Sequence, residues 1–282
     1  MRLDLAIKQG SERLEARGRG DVRLDAEMLM MHVLGRDKAY LYSHPELELG
    51  CRELSRYDEA LQRRLCGEPV QYITGHQEFW GLDLLVTPAV LIPRPETEHA
   101  VEAALEVLRW VDSPSIVDVG TGSGCIALAL ASELPEARIS AVDILDEALN
   151  VARQNATRLG FADRISFSQS DLLAKYLDSV PALDLVISNP PYVGGLEADK
   201  LQAEVREHEP HQALFGGGAE GLDIYRRLIP QAAQVLKPGG WLVIEIGYTQ
   251  ELAIRDLLKT WSEVRSVLDL QGIPRVVIAQ RR

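Results

Sequence analysis

From Ser115 to the C-terminus, short apolar runs alternate with segments long enough to be helices, and that alternation leaves few folds open. The runs read SIVDVG, RISAVDI, RISFSQSD, LDLVISN and GGWLVIEIG, followed by VRSVLDL and PRVVIAQ. Strands joined through helices of this length require parallel neighbours, so the spacing predicts a doubly wound α/β sheet with helices on both faces. The last two runs follow one another without a helix and predict an antiparallel edge. No internal repeat or low-complexity segment interrupts the pattern.

The N-terminal part has a different period. LDAEMLMMHVLG places apolar residues at Ala26, Leu29, Met30, Val33 and Leu34 and stops at Gly35, a helix C-cap. ELSRYDEALQRRLCGEP repeats the pattern with Leu54, Tyr57, Leu61 and Leu65 before Gly67 and Pro69. The Met28, Met30 and Met31 cluster reads as core filling. Residues 1–73 are therefore expected to form a small all-helical domain. HQEFWGLDLLVTPAVLIP then switches to aromatic and β-branched residues around Gly81, which predicts a hairpin linker over residues 74–94, with Phe79 and Trp80 packing it. Residues 95–282 make the α/β domain. It opens on RPETEHAVEAALEVLRW, with Pro95 near the first helical position and Glu96 and Glu98 where the macrodipole favours carboxylates.

Composition narrows the function. The N-terminus lacks a basic segment followed by an apolar core, and no apolar run approaches the roughly 20 residues of a membrane helix, so no membrane association and a cytoplasmic location are expected. Three widely spaced cysteines, Cys51, Cys66 and Cys125, argue against both a disulfide framework and a structural zinc. A formal net charge of −12 disfavours stable nucleic-acid binding through phosphates. In REHEPH, Pro210 interrupts any helix that would align His208 and His211, so the stretch is assigned a structural role and no metal. Arg63 and Arg64 read as a solvated face open to an acidic partner.

IVDVGTGSGCIALALA joins a buried strand, a glycine loop and a helix of small residues. Gly120, Gly122 and Gly124, with Thr121 and Ser123 between them, permit left-handed dihedrals and close approach of a ligand, and the following helix presents N-terminal N–H groups. The dinucleotide fingerprint fails at its third position, where Cys125 stands. Asp143 ends the next strand about 20 residues on, where a carboxylate can accept both ribose hydroxyls, and Asp171 ends the one after, within reach of an adenine amine or of the next loop. Together they outline a nucleoside across the crevice of the sheet.

ISNPPYV then ends the fourth strand with Asn189, Pro190, Pro191 and Tyr192. Prolines lack N–H groups, so the rim is built from acceptors, the Asn189 amide oxygen and the Pro190 carbonyl, while Tyr192 offers a flat face. Such a rim suits a planar NH₂ group, from an amide or an exocyclic base amine, with its nitrogen aimed at an electrophile.

DVGTGSG, VDI and NPPY in this order resemble the class I S-adenosylmethionine-dependent N-methyltransferases. GEPVQYITGHQEFWGL, LIPRPETE, EPHQALFGGGAEGLDIYRRL and EIGYTQ narrow the resemblance, over nearly the whole chain, to the HemK/PrmC family of protein-(glutamine-N5) methyltransferases. The resemblance implies a Rossmann-like methyltransferase domain joined by a β-hairpin to a helical docking domain; a monomer is expected, although the sequence does not fix the oligomeric state. It implies S-adenosyl-L-methionine as cofactor and, as substrate, the glutamine in a glycine-flanked loop of class 1 peptide chain release factors. It places Gly120, Thr121, Gly122, Ser123, Gly124, Asp143 and Asn189 on the cofactor, with Asp171 and Leu172 around the adenine. It places Asn189, Pro190, Pro191 and Tyr192 on the glutamine amide, Asn189, Pro190 and Tyr192 being catalytic. Many relatives carry an aromatic where Leu172 stands, so an aliphatic contact is expected here. Pro274 replaces a more familiar polar residue and bears only on the sheet edge. IPRPETE is expected to cover the cofactor on the resemblance alone. Two rival readings remain at this stage: an adenine-N6 methyltransferase acting on DNA or RNA, and a non-catalytic cofactor-binding module.

Overall fold

The computed structural model describes residues 1–15, 21–178 and 182–282, so the end of the stretch MRLDLAIKQGSERLEARG falls outside the described residues. In chain order the helices are α1 (Leu3–Glu15), α2 (Val22–Leu34), α3 (Lys38–Ser43), α4 (Cys51–Leu65), α5 (Val70–Thr74), α6 (Glu98–Leu108), α7 (Cys125–Glu133), α8 (Asp146–Leu159), α9 (Ala203–His208), α10 (His211–Leu214), α11 (Asp223–Val235) and α12 (Glu251–Leu257). The strands are β1 (His76–Phe79), β2 (Leu82–Leu85), β3 (Ser115–Val119), β4 (Arg138–Asp143), β5 (Ile165–Gln169), β6 (Leu183–Ser188), β7 (Leu236–Glu245), β8 (Ser262–Leu268) and β9 (Pro274–Gln280). They fall into two compact units, Met1–His76 with Gln202–His208, and Gln77–Leu201 with Glu209–Arg282.

The first unit is helical. Ala26, Leu29, Met30 and Val33 of α2 and Tyr57, Ala60 and Leu61 of α4 are buried at helical spacing, and Met28 and Met31 pack against the same core. Gly35 caps α2 in the left-handed conformation at φ 62°. The Tyr57 hydroxyl donates to the Ala26 carbonyl at 3.2 Å. Arg64 corrects the sequence reading. It shares the inward face of α4 with Ala60 and Leu61, and its side chain is 8% exposed. It pairs with Asp25 at 2.7 Å and with Glu204 of α9 at 2.8 Å, while its neighbour Arg63 is at the surface on Glu68. The helix period, not the pair of like charges, decides which arginine meets water.

The second unit holds a seven-stranded sheet in the order β5-β4-β3-β6-β7-β9-β8. β5, β4, β3, β6 and β7 are parallel, and β9 inserts antiparallel between β7 and β8, so the expected antiparallel edge is present with the last strand one place inside it. Both faces of the strands are apolar because helices cover both. Ile116, Leu185, Ile187, Val243, Val276 and Ile278 join α6 and α7 in one core, and Val117, Val186, Leu242, Ile244, Val277 and Ala279 join α11 and α12 in the other. The period of two along each strand sorts them.

The β1–β2 hairpin closes on Trp80 (φ 55°) and Gly81 (φ 70°), the two left-handed residues a tight hairpin turn demands. It packs with the second unit: Phe79 and Leu84 enter the first core, and the Trp80 N–H and indole N–H donate to Glu98 and Glu133, each at 2.8 Å. Asn155 of α8, fully buried, donates to the carbonyls of Leu85 and Ser123 and accepts from the Leu85 N–H, which fastens hairpin and glycine loop to one side chain.

Candidate active site

The chain runs outward from β3 through β4 to β5, then crosses back to place β6 on the other side of β3. At that reversal the loops after β3 and β6 diverge and leave a crevice beyond the carboxyl ends of the strands. The register pairs Val119 with Ser188 and with Val142, and Asp143 with Gln169, so the residues that follow all emerge at one level. A cleft of about 450 Å³ lies there.

Of the residues expected at the site, Gly120, Thr121, Gly122, Ser123, Asp143, Asp171, Leu172, Asn189 and Pro191 line this cleft. Gly120, Gly122 and Gly124 take φ of 72°, 55° and 85° as the loop requires. Gly124 does not line the cleft; a Cβ there would press within 3.2 Å of Ala152 and Leu128, so this glycine serves the packing of α7 on α8. The N–H groups also differ from expectation. Those of Gly120 and Thr121 go to the Val142 carbonyl, that of Gly124 to Thr121, and that of Gly122 to Asp143. The loop thus offers bare backbone more than free donors.

Asp143 is held from both sides: Oδ2 accepts from the Gly122 N–H and Oδ1 from the Leu145 N–H, each at 3.0 Å. Burial raises its pKa against those two bonds. Each oxygen retains a lone pair for a hydroxyl of a ligand. Asp118 is fully buried beneath the loop, takes the Thr121 hydroxyl at 2.6 Å on Oδ2, and leaves Oδ1 without a partner. Burial pushes its carboxyl up to about 7. Asp171 is bonded by Arg227, another cleft residue, and Leu172 beside it stands at φ 51°, a strained conformation for a side chain of its size.

The other end of the cleft is assembled from distant segments. Asn189 follows β6 and its Nδ2 donates to the Thr97 hydroxyl oxygen at 3.0 Å. The Thr97 hydroxyl in turn donates to Glu245 Oε2 at 2.7 Å. Thr97 is 1% and Glu245 2% exposed. Burial pushes the Glu245 carboxyl up to about 7 against the Thr97 hydroxyl that it accepts. Thr97 belongs to IPRPETE and Glu245 to EIGYTQ, and neither is among the expected site residues; the signal in the sequence is that both stretches carry the family resemblance.

Pro190 is buried and does not line the cleft. Tyr192 departs from expectation. Its ring packs on the second core and it is not among the residues that line the cleft. Its carbonyl accepts from Gln250 Nε2 at 2.8 Å; the same nitrogen donates to Glu220 at 2.7 Å, and Gln250 Oε1 accepts from Gly247 at 2.9 Å. The glycine-rich stretch FGGGAEGL lies backbone to backbone along the loop after Asn189. Val193 and Gly195 donate to Leu214 and Gly218, and a Cβ at Gly221 (φ 72°) would strike the Tyr192 carbonyl. Glu209 of REHEPH is 4% exposed and takes Arg94 and the Ile92 N–H, which anchors the approach to Thr97. No cluster of three or more metal-binding side chains occurs among the described residues, and no helix among them is long and apolar enough to cross a membrane.

Comparisons with known proteins agree with this geometry. The family model for the PrmC N-terminal domain matches residues 6–75, and that for the methyltransferase small domain matches residues 95–219. A release factor glutamine methyltransferase from Koribacter versatilis is 50% identical over 100% of this chain and 99% of its own. One from Moorella thermoacetica is 45% identical over the same shares. Among solved structures, the hMettl16 catalytic domain in complex with a MAT2A 3′UTR hairpin superposes with a TM-score of 0.59 at 17% identity, covering 86% of this chain and 92% of that one. A methyltransferase from Pyrococcus furiosus gives 0.52 at 17%, covering 79% and 98%. These two establish the class I methyltransferase fold and nothing finer. Identity over the full length settles the rest: the chain belongs to the release factor glutamine methyltransferase family.

Proposed function

We propose that this protein transfers a methyl group from S-adenosyl-L-methionine to the side-chain amide nitrogen of a glutamine in a class 1 peptide chain release factor. The observation that carries the reading is Asn189: it sits at the mouth of the cleft with its NH₂ already bonded to Thr97, so its free end is an acceptor suited to an amide N–H. The residues of the cleft fit the cofactor. Asp143 lines the cleft beside the glycine loop and keeps acceptor capacity, and left-handed glycines leave the loop backbone bare. Leu172 is an aliphatic neighbour for the adenine and Asp171, with Arg227, its polar border.

When bound, S-adenosylmethionine supplies a methyl group on a sulfonium cation. The chain's own work is to hold the acceptor nitrogen. An amide lone pair is delocalised into its carbonyl. An acceptor at Asn189 Oδ1 favours positive charge developing on that nitrogen and fixes its direction, so catalysis rests on positioning and preorganised dipoles rather than on a strong base. The glutamine arrives on a narrow glycine-flanked loop. The helical unit serves as a second docking surface, and the protein acts as a cytoplasmic monomer.

The test is transfer of labelled methyl from S-adenosylmethionine to a purified bacterial class 1 release factor, beside the same factor with its candidate glutamine changed and beside adenine-containing DNA and RNA. Label in the intact factor alone is expected. Label in nucleic acid with none in either factor would mean that Asn189 holds a base.

A further inference from the structure

An asparagine amide has two ends of nearly the same shape and opposite hydrogen-bonding character, and which end faces the substrate is decided by what the other end meets. A threonine hydroxyl does not decide it alone, since it can donate or accept. In this protein a third group removes the choice. Thr97 Oγ1 lies 2.7 Å from Glu245 Oε2 and 3.0 Å from Asn189 Nδ2. A carboxylate accepts only, so the single hydroxyl hydrogen of Thr97 goes to Glu245 and Thr97 is left as an acceptor toward Asn189.

We infer that Thr97 and Glu245 are positioning residues for methyl transfer: their one-way hydrogen-bond relay holds the Asn189 NH₂ away from the substrate and keeps its oxygen turned toward the glutamine amide. The inference rests on the glutamine reading above. Burial makes the relay specific, because neither Thr97 nor Glu245 has water to substitute for a lost partner. The Tyr192 hydroxyl is a titratable neighbour of the carboxylate, and the Tyr225 hydroxyl donates to the Glu245 main-chain carbonyl at 2.8 Å, which fixes the end of β7. The other charged and titratable neighbours are Glu96, whose charge opposes ionisation of Glu245, Arg275, whose charge favours it, and the Cys125 thiol. The relay is one-way only while Glu245 is ionised, since a protonated carboxyl can itself donate.

Thr97→Val keeps the shape and removes the hydroxyl, and Thr97→Ser restores it. With the release factor as methyl acceptor, T97V is expected to lower kcat about tenfold to a hundredfold, T97S to recover most of that loss, and both to bind S-adenosylhomocysteine like the parent. In the parent, kcat falls as pH drops through about 7, where Glu245 takes up a proton. Glu245→Gln flattens that limb. A T97V enzyme with the parent's kcat and pH profile overturns the relay, as does a T97S enzyme as impaired as T97V. Parallel loss of homocysteine-adduct affinity in both variants would show a merely structural role and overturn it too. Asn189→Ala in the same series separates the two levels: activity lost with N189A and kept with T97V breaks the relay and leaves the glutamine reading standing, whereas no methylation of the factor by the parent breaks both.

Discussion

The two ends of the cleft are built from different distances along the chain. At the cofactor end, Gly122 and Asp143 are 21 residues apart and meet because two adjacent parallel strands end at the same level. At the acceptor end, Asn189 is 92 residues from Thr97, and Thr97 is 148 from Glu245. One end is a property of a strand–loop–helix unit, and the other exists only once the sheet is complete.

The sharpest way to separate the ends is Asn189→Ala. It removes the acceptor and leaves the bonds of the glycine loop in place, so kcat for the release factor should fall about a hundredfold to a thousandfold, much more than affinity for S-adenosylhomocysteine by calorimetry. Equal losses in both would mean that the two ends are one functional element. Asp143→Ala is the converse. It strips two backbone N–H groups of their partner and removes the ribose acceptor, so cofactor affinity should fall about tenfold to a hundredfold, with kcat at saturating cofactor close to the parent's. A variant with unchanged affinity would remove Asp143 from the ribose.

The same difference in distance explains what could be read in advance. The alternation of apolar runs dictates a doubly wound sheet, because parallel neighbours need crossovers, and the glycine spacing with Asp143 at the next strand end follows from local geometry. Asn189 was legible because prolines after a strand leave only acceptors. Thr97 and Glu245 were not: a threonine before a helix and a glutamate at a strand end have ordinary local uses, and only tertiary structure brings them to one asparagine. Tyr192 shows the mirror case: an aromatic after NPP suits stacking, and the tertiary structure packs its ring against the second core. Arg64 shows the same limit in the helical unit, where two adjacent arginines read alike and the helix turn buries one of them.

Gln250 tests whether the acceptor end can be disturbed from behind. Its amide nitrogen donates to the carbonyls of Tyr192 and Glu220, and its oxygen accepts from Gly247, so all three bonds have a fixed direction. Gln250→Glu keeps the size and replaces two donated hydrogens by a charge facing two carbonyl oxygens. With the side chain 4% exposed, the introduced carboxyl is desolvated and its folded-state pKa rises above the unfolded value of about 4.3. The sign follows from linkage: between those two values the folded state binds the extra proton, so stability relative to the parent falls as pH rises through that window. Below it the protonated carboxyl still donates to one of the carbonyls. The melting temperature of Q250E should thus lie closest to the parent's near pH 4 and fall behind it toward neutrality. At neutral pH the loop after Asn189 shifts, and kcat/KM for the release factor should drop about tenfold, the smallest effect of the series, with cofactor affinity retained. If cofactor affinity dropped as far, the division between a local cofactor end and an acceptor end assembled at long range would fail, because Gln250 reaches the cleft only through the Tyr192 loop.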